Sequence, residues 1–432
     1  MQALLSFENA PPLAAPLRFF LTAPLFAVLA GLLLLVEGDA MLASRWTPAM
    51  LAATHLLTLG FMLQVMLGAL IQVLPVVAGA NLWQPIRGAR IVHAGLSLGT
   101  LVLAAGFYAG RPAWLAGAAW LLGGTVLFFL AVAIMALRGV PSTSPTIRGL
   151  KLALFGLAGT VGLGFWLANA LASGWALPFP ALVDLHAGWG FGAWGGVLLA
   201  ALAYVVVPMF QLTPGYPARM SWHFPVAIVG LLLLWSFAVL VGLDSLIQVS
   251  QLLVALFGAA FAALTLRLQG LRRRARADAT YRYWQLGLLM SILAFAMLST
   301  AAVRPAIADD AAWTPVFGIL LIVGGFLAFI SGMLYKIVPF LTWLHLQNCG
   351  QAKIPAPAMN KLLPDRAADR QFLAFFVAVA LLLLAMVFPA LLARVAGAAF
   401  CIAFSWLGWN LFSAARRYRL HAHLIKEKLA NR

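Results

Sequence analysis

Acidic residues are scarce in this 432-residue chain, with 11 Asp and Glu against 28 Lys and Arg, and only 9% of all residues are charged. No run of carboxylates interrupts the apolar stretches, so a proton-driven pump or carrier lacks its usual residues. Cysteine is rarer still. Cys349 and Cys401 fall in different environments, one beside an inner loop and one inside an apolar run, which excludes a disulfide framework and a CxxC metal signature. A Walker loop, a dinucleotide fingerprint and a nucleophile elbow are all missing too.

What fills the chain is oil. It is 64% hydrophobic, with a mean hydropathy of +0.99. A soluble domain of this length would keep a far more polar surface. Apolar runs of about twenty residues predict membrane-spanning helices near 18–37, 50–76, 91–110, 113–137, 150–172, 182–209, 222–242, 245–268, 283–303, 314–342, 371–393 and 395–415. The first run is too long and too poorly terminated for a cleaved signal peptide. The expected class is an all-α integral membrane protein with one polytopic domain, 1–432, and no soluble domain.

A net charge of +17 would suggest nucleic acid in a soluble protein, but here the loops decide otherwise. With the N-terminus inside, only Arg45, Arg111, Arg304 and Arg394 among the basic residues fall outside. That bias predicts a bacterial-type inner membrane protein with both termini cytoplasmic. The basic cluster LRLQGLRRRARADATYRYW and the tail RRYRLHAHLIKEKLANR are expected at anionic lipid headgroups, without nucleic acid as a partner. The longest inner loop, HLQNCGQAKIPAPAMNKLLPDRAADRQ, reads as a connector.

Helices 2, 6 and 10 share a pattern: glycines midway and a proline near the inner end, at Pro75, Pro208 and Pro339. Four helices separate each from the next. This predicts three pseudo-repeats, about 1–143, 144–275 and 276–432, with the three patterned helices inside the bundle.

Seven histidines divide by depth. His55 and His186 lie one to two turns inside the outer ends of helices 2 and 6; His93, His223 and His345 lie near the inner ends of helices 3, 7 and 10; His421 and His423 belong to the tail. Imidazole inside a membrane segment usually has a partner and is a common iron or copper ligand. On α-helical spacing, His55, Met62 and Met66 share one face, a donor set suited to Cu(I). The inner trio, with Cys349 four residues after His345, is the candidate for a second metal site. Gln64, Gln72, Tyr204, Tyr335, Lys336 and Asn410 are candidates to line a wet path.

The stretch THLLTLGFMLQVMLGALIQVLPVVAGANLWQPIRG, residues 54–88, resembles helix 2 of the haem–copper oxidase catalytic subunit. GGFLAFISGMLYKIVP resembles that family's tenth helix, and twelve helices in three pseudo-repeats is that family's fold. The N-terminal APLRFFLTAPLFAVLAGLLLLV, with His55, is closer to NnrS-type proteins, a haem- and copper-containing membrane family linked to nitric oxide and denitrification. The resemblance implies haem b, copper or both, with His55 as a haem ligand and respiratory or denitrification proteins as partners. It also implies propionate-binding arginine near the connection between helices 11 and 12, where LLARVAG supplies Arg394, with Arg45 a possible second. The departures exclude a terminal oxidase. Phe317 and Ile319 stand where the family has two histidines, His223 is alone on helix 7, and His186 is followed by Ala187 and Gly188. A sensor, scavenger or metal-handling factor is the expectation, not an established enzyme; the alternative is a permease for a small solute or metal ion.

Overall fold

The structure is a computed structural model that describes residues 6–273, 276–351 and 353–431. Residues 274–275 of the arginine cluster, Ala352 of the long loop and Arg432 of the tail lie outside the described residues. Among the described residues, twelve helices are long and apolar enough to cross a membrane, and there is no strand. They are α1 (Ala14–Glu37), α2 (Pro48–Ala78), α3 (Pro85–Tyr108), α4 (Pro112–Ala136), α5 (Pro145–Ser173) and α6 (Phe179–Gln211), followed by α7 (Ala218–Val241), α8 (Asp244–Gly270), α9 (Ala279–Val303), α10 (Trp313–Cys349), α11 (Asp365–Ala385) and α12 (Pro389–Ala430). This is the architecture of a multi-pass membrane protein.

Local chemistry sets the helix ends. Thr47 caps α2 by accepting the Met50 amide, with Pro48 in the first turn. Ser144 does the same for α5 ahead of Pro145. Proline costs nothing there, because the first amides of a helix have no intrahelical partner. Gly79 and Gly174 end α2 and α5 in the left-handed region, at φ 64° and 68°, a conformation that glycine adopts without a Cβ clash.

Two expectations are corrected at the C-terminal end. The run 371–393 does not continue to 393: α11 stops at Ala385 and Pro389 opens α12. Arg394 therefore sits in the second turn of a helix and not in a connecting turn. The second correction concerns length. At 1.5 Å per residue, the 42 residues of α12 and the 37 of α10 exceed the roughly 20 needed to cross the hydrocarbon. Their surplus turns meet the long loop, where Leu346, Ile354, Leu362 and Ile425 bury a small apolar cluster of their own. The connector is thus packed against two helix extensions.

Small residues let the spans approach closely. A Cβ at Gly397 would stand 2.6 Å from the Leu35 amide nitrogen and 2.9 Å from the Gly31 carbonyl oxygen, so α1 and α12 touch backbone to backbone. On the outward faces, Trp120, Leu240, Ile402 and Trp409 are exposed, as lipid-facing positions require.

Three helices share an irregularity that the sequence pattern does not announce. Each winds as a π-helix for about two turns: Leu56–Leu63 in α2, Trp189–Gly196 in α6 and Ile319–Leu327 in α10. Each segment ends twelve residues before the proline of its helix, at Pro75, Pro208 and Pro339. The apolar windows of α2 and α10 are 83% and 78% buried, whereas that of α6 is 50% buried, no more than α1 or α4. His186, Phe191 and Gly192 of α6 are only half-buried, and all three line a large cavity.

Candidate functional site: two histidines on one cavity

The cavity has a volume of about 1350 Å³ and draws its walls from α2, α5, α6, α8, α9 and α10. It exceeds the usual range of about 300–1,000 Å³ for small-molecule sites, and its walls are mostly apolar. His55 and His186 both line it.

Each ring is held from behind. Nδ1 of His55 donates to the Leu51 carbonyl at 2.8 Å, one turn back on α2. Nδ1 of His186 donates to the Thr160 carbonyl of α5 at 3.1 Å. A carbonyl only accepts, so Nδ1 carries the proton in both rings and Nε2 keeps its lone pair, with no hydrogen-bond partner among the described residues. Metal-ligating histidines are typically oriented this way by a carbonyl behind the ring. Phe107 of α3 stacks on His55 at a centroid distance of 5.0 Å. Gly164 of α5 makes room for His186, because a Cβ there would fall 2.9 Å from the imidazole Cε1.

An ion pair closes part of the same wall. Arg45 Nη1, just before α2, meets Asp184 Oδ1 of α6 at 2.5 Å, and both residues line the cavity. The sequence carries a signal for this pair, since Asp184 is an acid two residues before His186 at the start of an apolar run. Thr160, Gly164 and Phe107 carried no such signal, because they matter only through the helices they happen to face.

The remaining candidates divide. Met62 lines the cavity, whereas Met66 is buried but forms no part of its wall. The cavity's α2 wall ends at Leu63, so Met66, about one turn further along the helix, lies past it. Arg394 also stands apart from the cavity wall: its guanidinium rests against Gly38, where a Cβ would lie 3.2 Å from Cζ. The inner trio is dispersed. His93 Nε2 bonds the Thr22 hydroxyl at 2.8 Å, His345 Nδ1 donates to the Leu341 carbonyl at 2.9 Å, and His223 is exposed. Among the described residues, no three His, Cys, Asp or Glu side chains gather in a group able to hold a metal ion.

The six wet-path candidates also separate. Lys336 pairs with Asp278 at 2.6 Å, and Asn410 donates to the Tyr335 hydroxyl at 2.9 Å, both among the last four helices. Gln64 instead bonds Ser97 of α3. Neither a scan of protein-family models nor a search of curated proteins finds a match to this chain.

Proposed function

We propose that this chain is a haem- or copper-binding protein of a bacterial-type inner membrane, similar to NnrS-type proteins and distantly to the haem–copper oxidase catalytic subunit. It acts as a sensor, scavenger or metal-handling factor in nitric oxide or respiratory metabolism, and not as a terminal oxidase. One observation carries this reading: His55 and His186 line a single large apolar cavity, each with Nδ1 tied to a carbonyl and the Nε2 lone pair free to ligate a metal. The residues fit the group. Neutral imidazole suits iron and copper, an apolar cavity of this volume accommodates a macrocycle, and Met62 adds a soft donor for copper. Iron or copper bound here would supply a site for a small ligand or an electron. The chain's own part is to orient the two rings, exclude water with Phe107 and the apolar walls, and hold the Arg45–Asp184 pair beside them.

The common register of π segment and proline in α2, α6 and α10 supports the three pseudo-repeats of an oxidase-like fold. Both termini are assigned to the cytoplasm on the loop arginine and lysine bias, with anionic headgroups at that face.

The test is the absorption spectrum and metal content of the purified full chain. A Soret band or stoichiometric copper that disappears in His55→Ala or His186→Ala supports the reading. A colourless, metal-free protein rejects it in favour of the permease.

A further inference from the structure

A different wall of the same cavity, formed by α8, α9 and α10, carries neither histidine. On α8 the lining residues Asp244, Gln248, Gln251, Val254, Gly258 and Phe261 follow one another at steps of three or four. That is the spacing of a single helix face, so α8 presents one uninterrupted stripe to the cavity. The stripe changes character with depth. Asp244 is exposed, Gln248 and Gln251 are half-buried, and Val254, Gly258 and Phe261 are buried. At 1.5 Å per residue, the stretch from Gln251 to Phe261 covers about 15 Å, half of a hydrocarbon core of about 30 Å.

The polar part of this wall is not satisfied by the protein. Neither Gln248 nor Gln251 has a hydrogen-bond partner for its side-chain amide among the described residues. Other glutamines in the spans do: Gln64, Gln269, Gln285 and Gln371 each donate to an oxygen of the chain. Gln248 and Gln251 are only half-buried and stand on a cavity wall, so a ligand has room to reach them. Thr314, at the start of α10, lines the cavity too, and its hydroxyl is likewise unbonded. Charge narrows the ligand further. Asp244 and Asp309 both line the cavity and both are exposed. Arg45 is the one arginine or lysine among the described lining residues, and Asp184 already engages it. A phosphate or carboxylate head would find carboxylates here and no free cation to compensate it.

We propose that this wall binds an uncharged amphiphile, its hydroxyl-bearing head at Gln248 and Gln251 and its single alkyl chain along α8 toward Phe261. Each glutamine amide donates through Nε2 and accepts through Oε1, which matches hydroxyls that do both. The chain exchanges lipid contact for contact with Val254, Phe261 and, from α9, Phe295, all on the cavity wall. A neutral acylglycerol of the bilayer has this chemistry. The inference shares the cavity of the proposed metal site but uses neither histidine.

The experiment is equilibrium binding of tritiated monopalmitoylglycerol to the full chain purified in detergent. Saturable binding is expected, with palmitate, whose head is anionic, competing roughly tenfold more weakly. Gln248→Leu and Gln251→Leu should each weaken binding about fivefold, the loss of one hydrogen bond. Val254→Phe, which fills the path of the chain, is expected to abolish it. No saturable binding, equal competition by palmitate, or unchanged affinity in all three variants overturns the proposal. Photolabelling of the unsubstituted chain guards against misfolded variants. A diazirine on the alkyl chain of the same lipid should label the cavity face of α8, α9 or α10. Label confined to outward positions such as Trp120 and Ile402 also overturns it. His55→Ala separates the two readings, since it is expected to lose haem or copper while keeping monopalmitoylglycerol binding. A colourless, metal-free chain that binds the lipid rejects only the metal reading, and a coloured chain that does not bind it rejects only this one.

Discussion

At His55 and His186 the deciding atom is the one the helix does not use. A histidine whose Nδ1 is tied to a carbonyl presents Nε2 in a fixed direction, which is what the proposed ligand would meet. Gly164 is what allows this for His186. Gly164→Val would drive a side chain into the imidazole, and overpacking of this kind costs typically 1–3 kcal/mol. Expected is a folded protein with reduced haem or copper occupancy, read from the absorption spectrum and metal content beside the melting temperature; full occupancy would remove His186 as a ligand. Arg45 and Asp184 make a different case. Their side chains are 26% and 43% exposed, so solvent screens the pair and its stability contribution is at most about 1 kcal/mol. Asp184→Asn should therefore barely move the melting temperature, and a large drop would show that the pair does more than face the cavity.

Among the elements, α12 departs most from its expected form. It begins at Pro389, passes Gly31 with no room for a side chain at Gly397, and continues until Ile425 buries itself against the long loop. Two substitutions separate its two halves. Gly397→Leu should prevent α1 and α12 from meeting and abolish a monodisperse peak in detergent, because the obstacle is backbone and cannot move aside. Ile425→Ala removes a side chain that is 4% exposed, a loss worth about 2–5 kcal/mol in a packed core but here confined to a satellite cluster. Trypsin should then cleave faster between Arg416 and Lys428 while the rest of the bundle and its spectrum stay intact. Unchanged cleavage would mean that the extension is held by something other than that cluster.

Among the described residues, twelve helices long and apolar enough to cross a membrane surround a cavity that no single helix encloses. An even number of spans leaves the N- and C-termini on one side, and the orientation proposed above makes that side cytoplasmic. A periplasm-dependent reporter fused after Arg432 should be inactive, and one placed in the α3–α4 connection, at Gly110, active. The opposite pattern would invert the molecule and put the Arg45–Asp184 rim at the cytoplasmic face.

Hydrophobic run length alone determined that twelve helices would form, and roughly where, because crossing hydrocarbon requires about twenty apolar residues in one hydrogen-bonded segment. His55 and His186 were legible for the same reason, since a polar ring in such a run stands out. The boundary at Met386–Phe388 was not legible, because the residues on either side are equally apolar and only Pro389 marks the break. Tertiary structure decided the rest. The depth at which the cavity ends, near Leu63 on α2, left Met62 on its wall and Met66 beyond it. Packing between helices distant in sequence brought Asp184 to Arg45 and Thr160 to His186, and it separated His93, His223 and His345. Periodicity along one helix states which face a residue occupies; it does not state which other helix that face will meet.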